Sequence, residues 1–304
     1  MQQDNFMAVE LAPIADKGGA VQHKSGLAAF LSRWPVPVLI ALGWLGLMLL
    51  VSLLAQWIAP YDFMATDVQA RLRPPALFGG TLEHLLGTDQ LGRDVFSRVI
   101  ASIRISITIA IIATMISTLI GLTLGFVAAY FRGWVDQLIL MAVDAQLAMP
   151  FMIIAIAILA FLGNSLVIFV LLLGLNGWET ITRMARGLAI SANSQGYAVA
   201  ARDIGASPAR IYLKHILPNI SATIVIAMTL NIPGVILLES SLSFLGIGLQ
   251  PPQTSLGNMV GYGRDYIQSA PWIMLMPAVI IVLTTLSVSI VGDWLRDRLD
   301  PTLR

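Results

Sequence analysis

An all-α polytopic membrane protein with six transmembrane helices is the fold class this sequence predicts, and three observations predict it. Of its 304 residues, 57% are hydrophobic and only 12% charged, about half the charge of a water-soluble domain. Its apolar stretches run on for longer than the ~20 residues a helix needs to cross a ~30 Å hydrocarbon core. They do not alternate in polarity at every second residue, as the strands of a membrane barrel would.

The spans follow from the charges that bound them. Trp34 to Tyr61 carries no charge, which places span 1 over 36–58. Ile105 to Phe131 is equally bare and forms span 2. Ala145 to Trp178 is uncharged throughout; one helix over that stretch would reach about 50 Å, too long for one crossing. Gly163-Asn164 near its middle reads as a turn, which divides it into span 3 (136–162) and span 4 (165–185). Spans 5 and 6 fall over 219–244 and 272–294. An even count puts both ends on one side. With the N-terminus inside, twelve Lys and Arg lie on the cytoplasmic side and six outside, the bias expected for N-in, C-in. Residues 1–35 read as a cytoplasmic tail rather than a signal peptide, because acidic residues precede the first Lys and no apolar run follows it.

Between spans 4 and 5 lies a polar island, Gly196 to Asn219. Tyr197 to Ile204 is Ala-rich and predicts a helix. Gly205 supplies the left-handed geometry that stops it. Ser207-Pro208 restarts a helix, Ser as N-cap and Pro at its first position. Pro218 sits near the start of span 5, where its missing donor costs least. Two short helices tied to two spans would carry a rigid-body push into the membrane, and small Ala side chains would let a partner surface approach closely.

The same stretch carries a resemblance. Ala200-Ala201, Gly205 and Leu217-Pro218 are spaced as in the Glu-Ala-Ala loop of ATP-binding-cassette importer permeases. Val199 stands at the Glu position and His215 at an Ile position, so Asp203 or Arg202 is the candidate to supply the missing polar contact. Leu86 to Arg98 resembles the segment preceding span 2 in the dipeptide, oligopeptide and nickel permeases. Val143-Asp144 to Met149-Pro150 resembles their span 3, and Ser241 to Gly248 with Pro251-Pro252 and Ser255 to Met259 resembles the exit of their span 5. The chain is thereby similar to the "C" type subunit of that family. The resemblance implies a type I importer permease with a coupling helix at about 197–205. Its expected ATPase contacts are Tyr197, Val199, Ala200, Ala201, Arg202, Asp203, Gly205, Ser207, Pro208, Leu217 and Pro218. It implies a 59–100 periplasmic loop, a 101–296 permease core and a 297–304 cytoplasmic tail, in the bacterial inner membrane. The implied partners are a homologous "B" type permease, two cytoplasmic ATPase subunits that bind ATP and Mg2+, and a periplasmic or lipid-anchored substrate-binding protein. Short peptides are the implied cargo.

Charged groups at membrane depth are costly and mark function or pairing. Asp144 in span 3 either lines the conduit or pairs with Arg183 or Arg186. Glu239 near the outer end of span 5, with Ser240 and Ser243, either meets an incoming peptide's amino group, holds an outer gate, or is a buried carboxylate satisfied by loop amides. Replacing Glu239 by Gln is accordingly expected to alter uptake or the stimulation of the ATPase by the binding protein. Asp89, Arg93 and Asp94 read as a structural ion-pair knot, and Gly121, Gly125 and Gly234 as close-packing positions. Nothing in the sequence points to catalysis, a metal or nucleic acid. There is no Cys, the three His are far apart, and no phosphate-binding Gly-x-x-x-x-Gly-Lys-Ser/Thr loop is present. The competing reading is a proton-coupled secondary transporter using Asp144 and Glu239.

Overall fold

The computed structural model describes residues 34–299, a single helical body from Val36 onward. The expected 1–35 tail, but for Trp34 and Pro35, and the last five residues lie outside the described residues. Ten helices carry the architecture: α1 (Val36–Leu53), α2 (Ala55–Ile58), α3 (Val95–Phe131), α4 (Gly133–Ala148), α5 (Phe151–Leu162), α6 (Leu166–Gly174), α7 (Trp178–Asn193), α8 (Gly196–Asp203), α9 (Pro208–Ile211) and α10 (Leu217–Phe244). Two more, α11 (Leu256–Gly263) and α12 (Trp272–Leu299), complete the chain. Among the described residues there is no strand, only an isolated bridge between Thr88 and Asp94.

Four stretches are long and apolar enough to cross a membrane unbroken: α1, α3, Pro208–Phe244 and α12. Two further helix pairs are apolar enough together but bent, α4 with α5 at 90° and α6 with α7 at 40°, which gives four crossings, or six if each bent pair is one span. Span 3 is therefore not one continuous helix. Pro150 disfavours helical geometry at the residue before it, and Met149 is extended (φ −105°, ψ 132°). The turn expected at Gly163-Asn164 is present, with Gly163 at φ +82° and the Ser165 hydroxyl capping α6. A second break follows at Leu175 to Gly177, where Gly177 takes φ +88°. Gln146 Nε2 donates to the Leu175 carbonyl at 3.3 Å, so the two breaks are tied together and an otherwise free carbonyl is met.

Span 2 also differs from expectation. Its helix begins at Val95, because Asp94 caps it by accepting from Ser97 N at 2.8 Å, so residues expected in the outer loop are helical. Span 5 starts earlier too. The helix restarted at Ser207-Pro208 runs on through a wide π turn, Tyr212–Ile216, into α10. Pro218 gives the reason: its ring would clash with the carbonyl four residues back, and a π turn opens that spacing. Likewise α12 continues to Leu299, past the expected start of the tail at 297.

Helix α3 is the spine, lying against α1, α4, α6, α7 and α10. Its tightest partner is α7. A Cβ on Gly121 would lie 2.7 Å from Ile181 Cβ, and one on Gly125 would lie 2.8 Å from both Ala185 Cβ and the Thr182 carbonyl. Gly234, by contrast, faces open space and is not a packing glycine. At the Val95 end of the spine, Asp89 organises the loop before α3. It accepts from Leu91 N and Arg93 N and pairs with Arg93 (2.7 Å) and Arg98 (3.4 Å). Asp94 pairs with His84 at 3.0 Å instead of joining Arg93. At this end α11 is wedged beside α3, α10 and α12, with Leu256 N donating to Ser106 Oγ at 3.1 Å. The opposite end gathers the C-termini of α3 and α7 with α8 and α9 around Ala129, Ala185, Ala189, Ala192, Ile211 and Tyr212.

The glycine seat generates a testable expectation. Gly121→Val or Gly125→Val should lower the thermal midpoint of the purified protein, the overpacking costing about 1–3 kcal/mol. Gly187→Ala on the same α7, where a Cβ meets nothing within 4 Å, should leave it unchanged or slightly raised, as measured by thermal unfolding in detergent.

Candidate coupling surface and membrane-depth carboxylates

The polar island folds into a short projecting knob. Helix α8 closes with both bonds of a Schellman motif: Gly205 N donates to Arg202 O at 2.9 Å and Ala206 N to Ala201 O at 3.0 Å. Gly205 holds φ +80°, the left-handed region that disfavours side chains with a Cβ. Ser207 then caps α9, its hydroxyl accepting from Arg210 N at 3.4 Å.

The alanines of α8 divide by face. Ala198 and Ala201 are buried against Ala189, Ala192, Ile211 and Ile216, seating the knob on the bundle. Ala201 thus packs inward and does not belong to the outward surface to which the sequence reading assigned it. Tyr197, Val199, Ala200, Arg202 and Asp203 are exposed. Ile204 at the tip is 86% exposed; sequence reasoning used it only as the end of the helix, although an Ile beside a helix-stopping Gly is the signal that would have found it. Leu217 is half-buried and Pro218 exposed, at the root of α10 rather than on the tip.

Hydrogen bonds fix the knob to two spans. Tyr197 Oη accepts from Asn219 Nδ2 at 2.9 Å, joining α8 to the root of α10. Arg202 donates to Asn193 Oδ1 at 3.2 Å, joining it to the end of α7. Asn193 Nδ2 in turn donates to Tyr212 Oη at 2.7 Å, closing the triangle. Movement of α8 is therefore shared by α7 and α10. Arg202, though exposed, is engaged with Asn193, and Asp203 has no ion-pair partner among the described residues.

The two carboxylates expected at membrane depth do not meet. Asp144 pairs with Arg183, one of the two alternatives the sequence left open. Arg186 pairs instead with Asp136, through contacts of 2.5 and 2.6 Å. These two rungs bind α4 to α7. Glu239 is 1% exposed and has no ion-pair partner among the described residues. Its Oε1 accepts from Ser243 Oγ at 2.8 Å, and Ser240 Oγ lies 3.5 Å from Oε2. Ser255 Oγ continues the network to Ser243 Oγ at 3.5 Å. Hydroxyls, not loop amides, satisfy the acid. Glu239 and Ser243 are closed off, Gly248 and Gly257 packing directly on Ser243 and Ser240. Only Ser240 also borders an open groove, of about 410 Å3, with Met152 and Phe244. Asp144 and Glu239 thus sit in separate local networks.

Residues 121–304 match the binding-protein-dependent transport system inner membrane component family, and residues 37–75 match the N-terminal TM domain of oligopeptide transport permease C. A putative peptide transport system permease protein of Brucella suis is 39% identical over 258 residues, 85% of each chain. The di/tripeptide transport system permease protein DppC of Pseudomonas aeruginosa is 37% identical over 268 residues, 87% of this chain and 88% of that one. The glutathione transport system permease protein GsiD of Escherichia coli is 38% identical over 258 residues, 85% and 84%. In structure, a chain of the inward-facing MetNI methionine ABC transporter matches with a TM-score of 0.53 at 19% identity, covering 66% of this chain and 94% of that one; the likeness is one of fold. With the family match spanning more than half its length and these relatives nearly all of it, the chain belongs to the binding-protein-dependent transport system inner membrane component family.

Proposed function

We propose that this chain is the permease subunit of an ATP-binding-cassette importer that moves short peptides, or a related solute such as glutathione, across the bacterial inner membrane. The observation that carries the mechanism is the knob: a helix hydrogen-bonded to two spans at once, with Tyr197, Val199, Ala200 and Ile204 turned outward. The names of the relatives support the cargo class. The family support weighs against the proton-coupled alternative, and the separate networks of Asp144 and Glu239 offer it no shared proton path.

In this reading the chain crosses the membrane six times, the two bent pairs each counting once, with both ends in the cytoplasm. It forms half of a conduit and pairs with a homologous permease. A substrate-binding protein delivers cargo to the outer face. Two ATPase subunits hold ATP and Mg2+ and perform the hydrolysis, while this chain contributes no catalytic group. ATP-driven closure of the ATPases displaces the knob. Because α8 is tied to both α7 and α10, that displacement tilts the two crossings together. The conduit then alternates between outward and inward access.

Ile204→Asp should weaken retention of the ATPase subunits about tenfold or more, since a charge replaces an exposed apolar anchor at the docking tip; co-purification of the intact assembly measures it. Retention and uptake equal to wild type would remove the knob from the mechanism. Gly205→Val, forcing a β-branched residue to positive φ, should uncouple ATP hydrolysis from uptake in vesicles. Gly205→Asn, which tolerates that region, should keep the two coupled.

Glu239 yields a different expectation from the one the sequence suggested. Glu239→Gln preserves an acceptor for Ser243 and should leave the KM for peptide uptake within about twofold. Glu239→Leu strips the hydroxyl cluster of its acceptor at a cost of about 1–3 kcal/mol and should lower the thermal midpoint. A large KM rise in the Gln variant would return Glu239 to the cargo path.

A further inference from the structure

A cavity of about 520 Å3 opens between the end of α3, the end of α7 and the knob, lined in part by Tyr130, Arg132, Asn193, Arg202 and Tyr212. Among the described residues no Asp or Glu lines it. Arg132 makes no direct ion pair among the described residues, although it feels the charge of Asp136, which Arg186 holds, and the Arg202 side chain bonds to a neutral amide. The side chains form a directed chain of donors. Arg202 donates to Asn193, and Asn193 donates to the Tyr212 oxygen. The Tyr212 proton is left with no acceptor among the described residues, although that side chain is more than nine-tenths buried. A chain that ends on a donor beside two guanidinium groups is built to receive an acceptor with negative charge.

We propose that this cavity binds the phosphate of an anionic phospholipid headgroup from the cytoplasmic leaflet. The inference rests on the orientation given above, which puts the knob in the cytoplasm. Three exposed aromatics flank Arg132 in sequence: Tyr130 (49%), Phe131 (63%) and Trp134 (72%). Aromatic rings of this kind collect at the level of the headgroups, and basic pockets between spans on the cytoplasmic side are where anionic headgroups bind. The cavity volume suits a small ligand moiety. Because Arg202 belongs to the knob and Arg132 joins α3 to α4, a bound phosphate bridges the coupling element to the α3–α4 corner. Anionic lipid thereby sets how tightly the knob rests on the bundle.

Native mass spectrometry of the intact assembly, exchanged into detergent with phosphatidylglycerol or phosphatidylcholine, tests this. The wild type should retain phosphatidylglycerol in preference to phosphatidylcholine. Arg132→Gln with Arg202→Gln should bind phosphatidylglycerol roughly thirtyfold more weakly, two basic contacts being lost. Arg132→Lys with Arg202→Lys should retain most of the affinity, which separates charge loss from misfolding. Equal retention by the wild type and the Gln variant overturns the site. Displacement of the lipid by inorganic phosphate alone overturns the lipid assignment in favour of a free anion. Loss of the ATPase subunits from the Gln variant with lipid retention unchanged overturns it in favour of a protein carboxylate. The binding measurement needs no ATP, so absence of ATP-driven uptake in the wild type would sink the transporter reading separately.

Discussion

The close seat of α7 on α3 is the contact on which the rest of the molecule depends. In lipid there is no hydrophobic force between helices, so association rests on packing and hydrogen bonds. Gly121 and Gly125 bring the two backbones together, and Ala185 with Ala189 keeps the opposing face flat. The knob grows from the end of α7 and is held by the root of α10. A firm α3–α7 contact therefore fixes where the base of the knob sits on the bundle.

A second constraint shapes the two bent helix pairs. Backbone groups inside a bilayer must be paired within the protein. The break at Met149-Pro150 and the break at Leu175 to Gly177 each free carbonyls. The chain answers by placing them side by side and bridging them through Gln146. Pro218 exacts a similar adjustment, met by the π turn at Tyr212–Ile216. At the Val95 end the loops use side chains for the same purpose. Asn164 donates to the Ile247 and Gly248 carbonyls, Asn258 to Leu249 O at 2.7 Å, and Trp272 to Thr88 O at 3.1 Å. In each case a polar side chain is spent on a backbone carbonyl.

Much of the knob was legible before any coordinates. Gly205 and Ser207-Pro208 act through their own backbone geometry, and local chemistry of that kind needs no tertiary partner. The membrane class was legible for the same reason, since lipid solvates residues by composition. The division of α8 into an inner and an outer face was not legible, because Ala198, Ala200 and Ala201 are chemically identical and only packing tells them apart. Nor was the fate of the carboxylates. Asp144 had two arginines within reach of a sequence argument, and the pairing of Arg186 with Asp136 left it Arg183. For Glu239 the sequence left a cargo contact, a gate and a buried carboxylate open, and the seat of Gly248 and Gly257 on its neighbouring serines decided for burial.

Sequence by itself determined that the chain is a bundle of membrane-crossing helices, where most of them run, and where a capped polar segment interrupts them. These properties follow from solvent preference and from the φ/ψ range of single residues. Tertiary structure alone decided which helix faces meet, how spans 3 and 4 bend to meet each other's needs, and which polar groups are spent on internal bonds. Those outcomes depend on distances between residues far apart in the chain, and one-dimensional spacing carries no such distances.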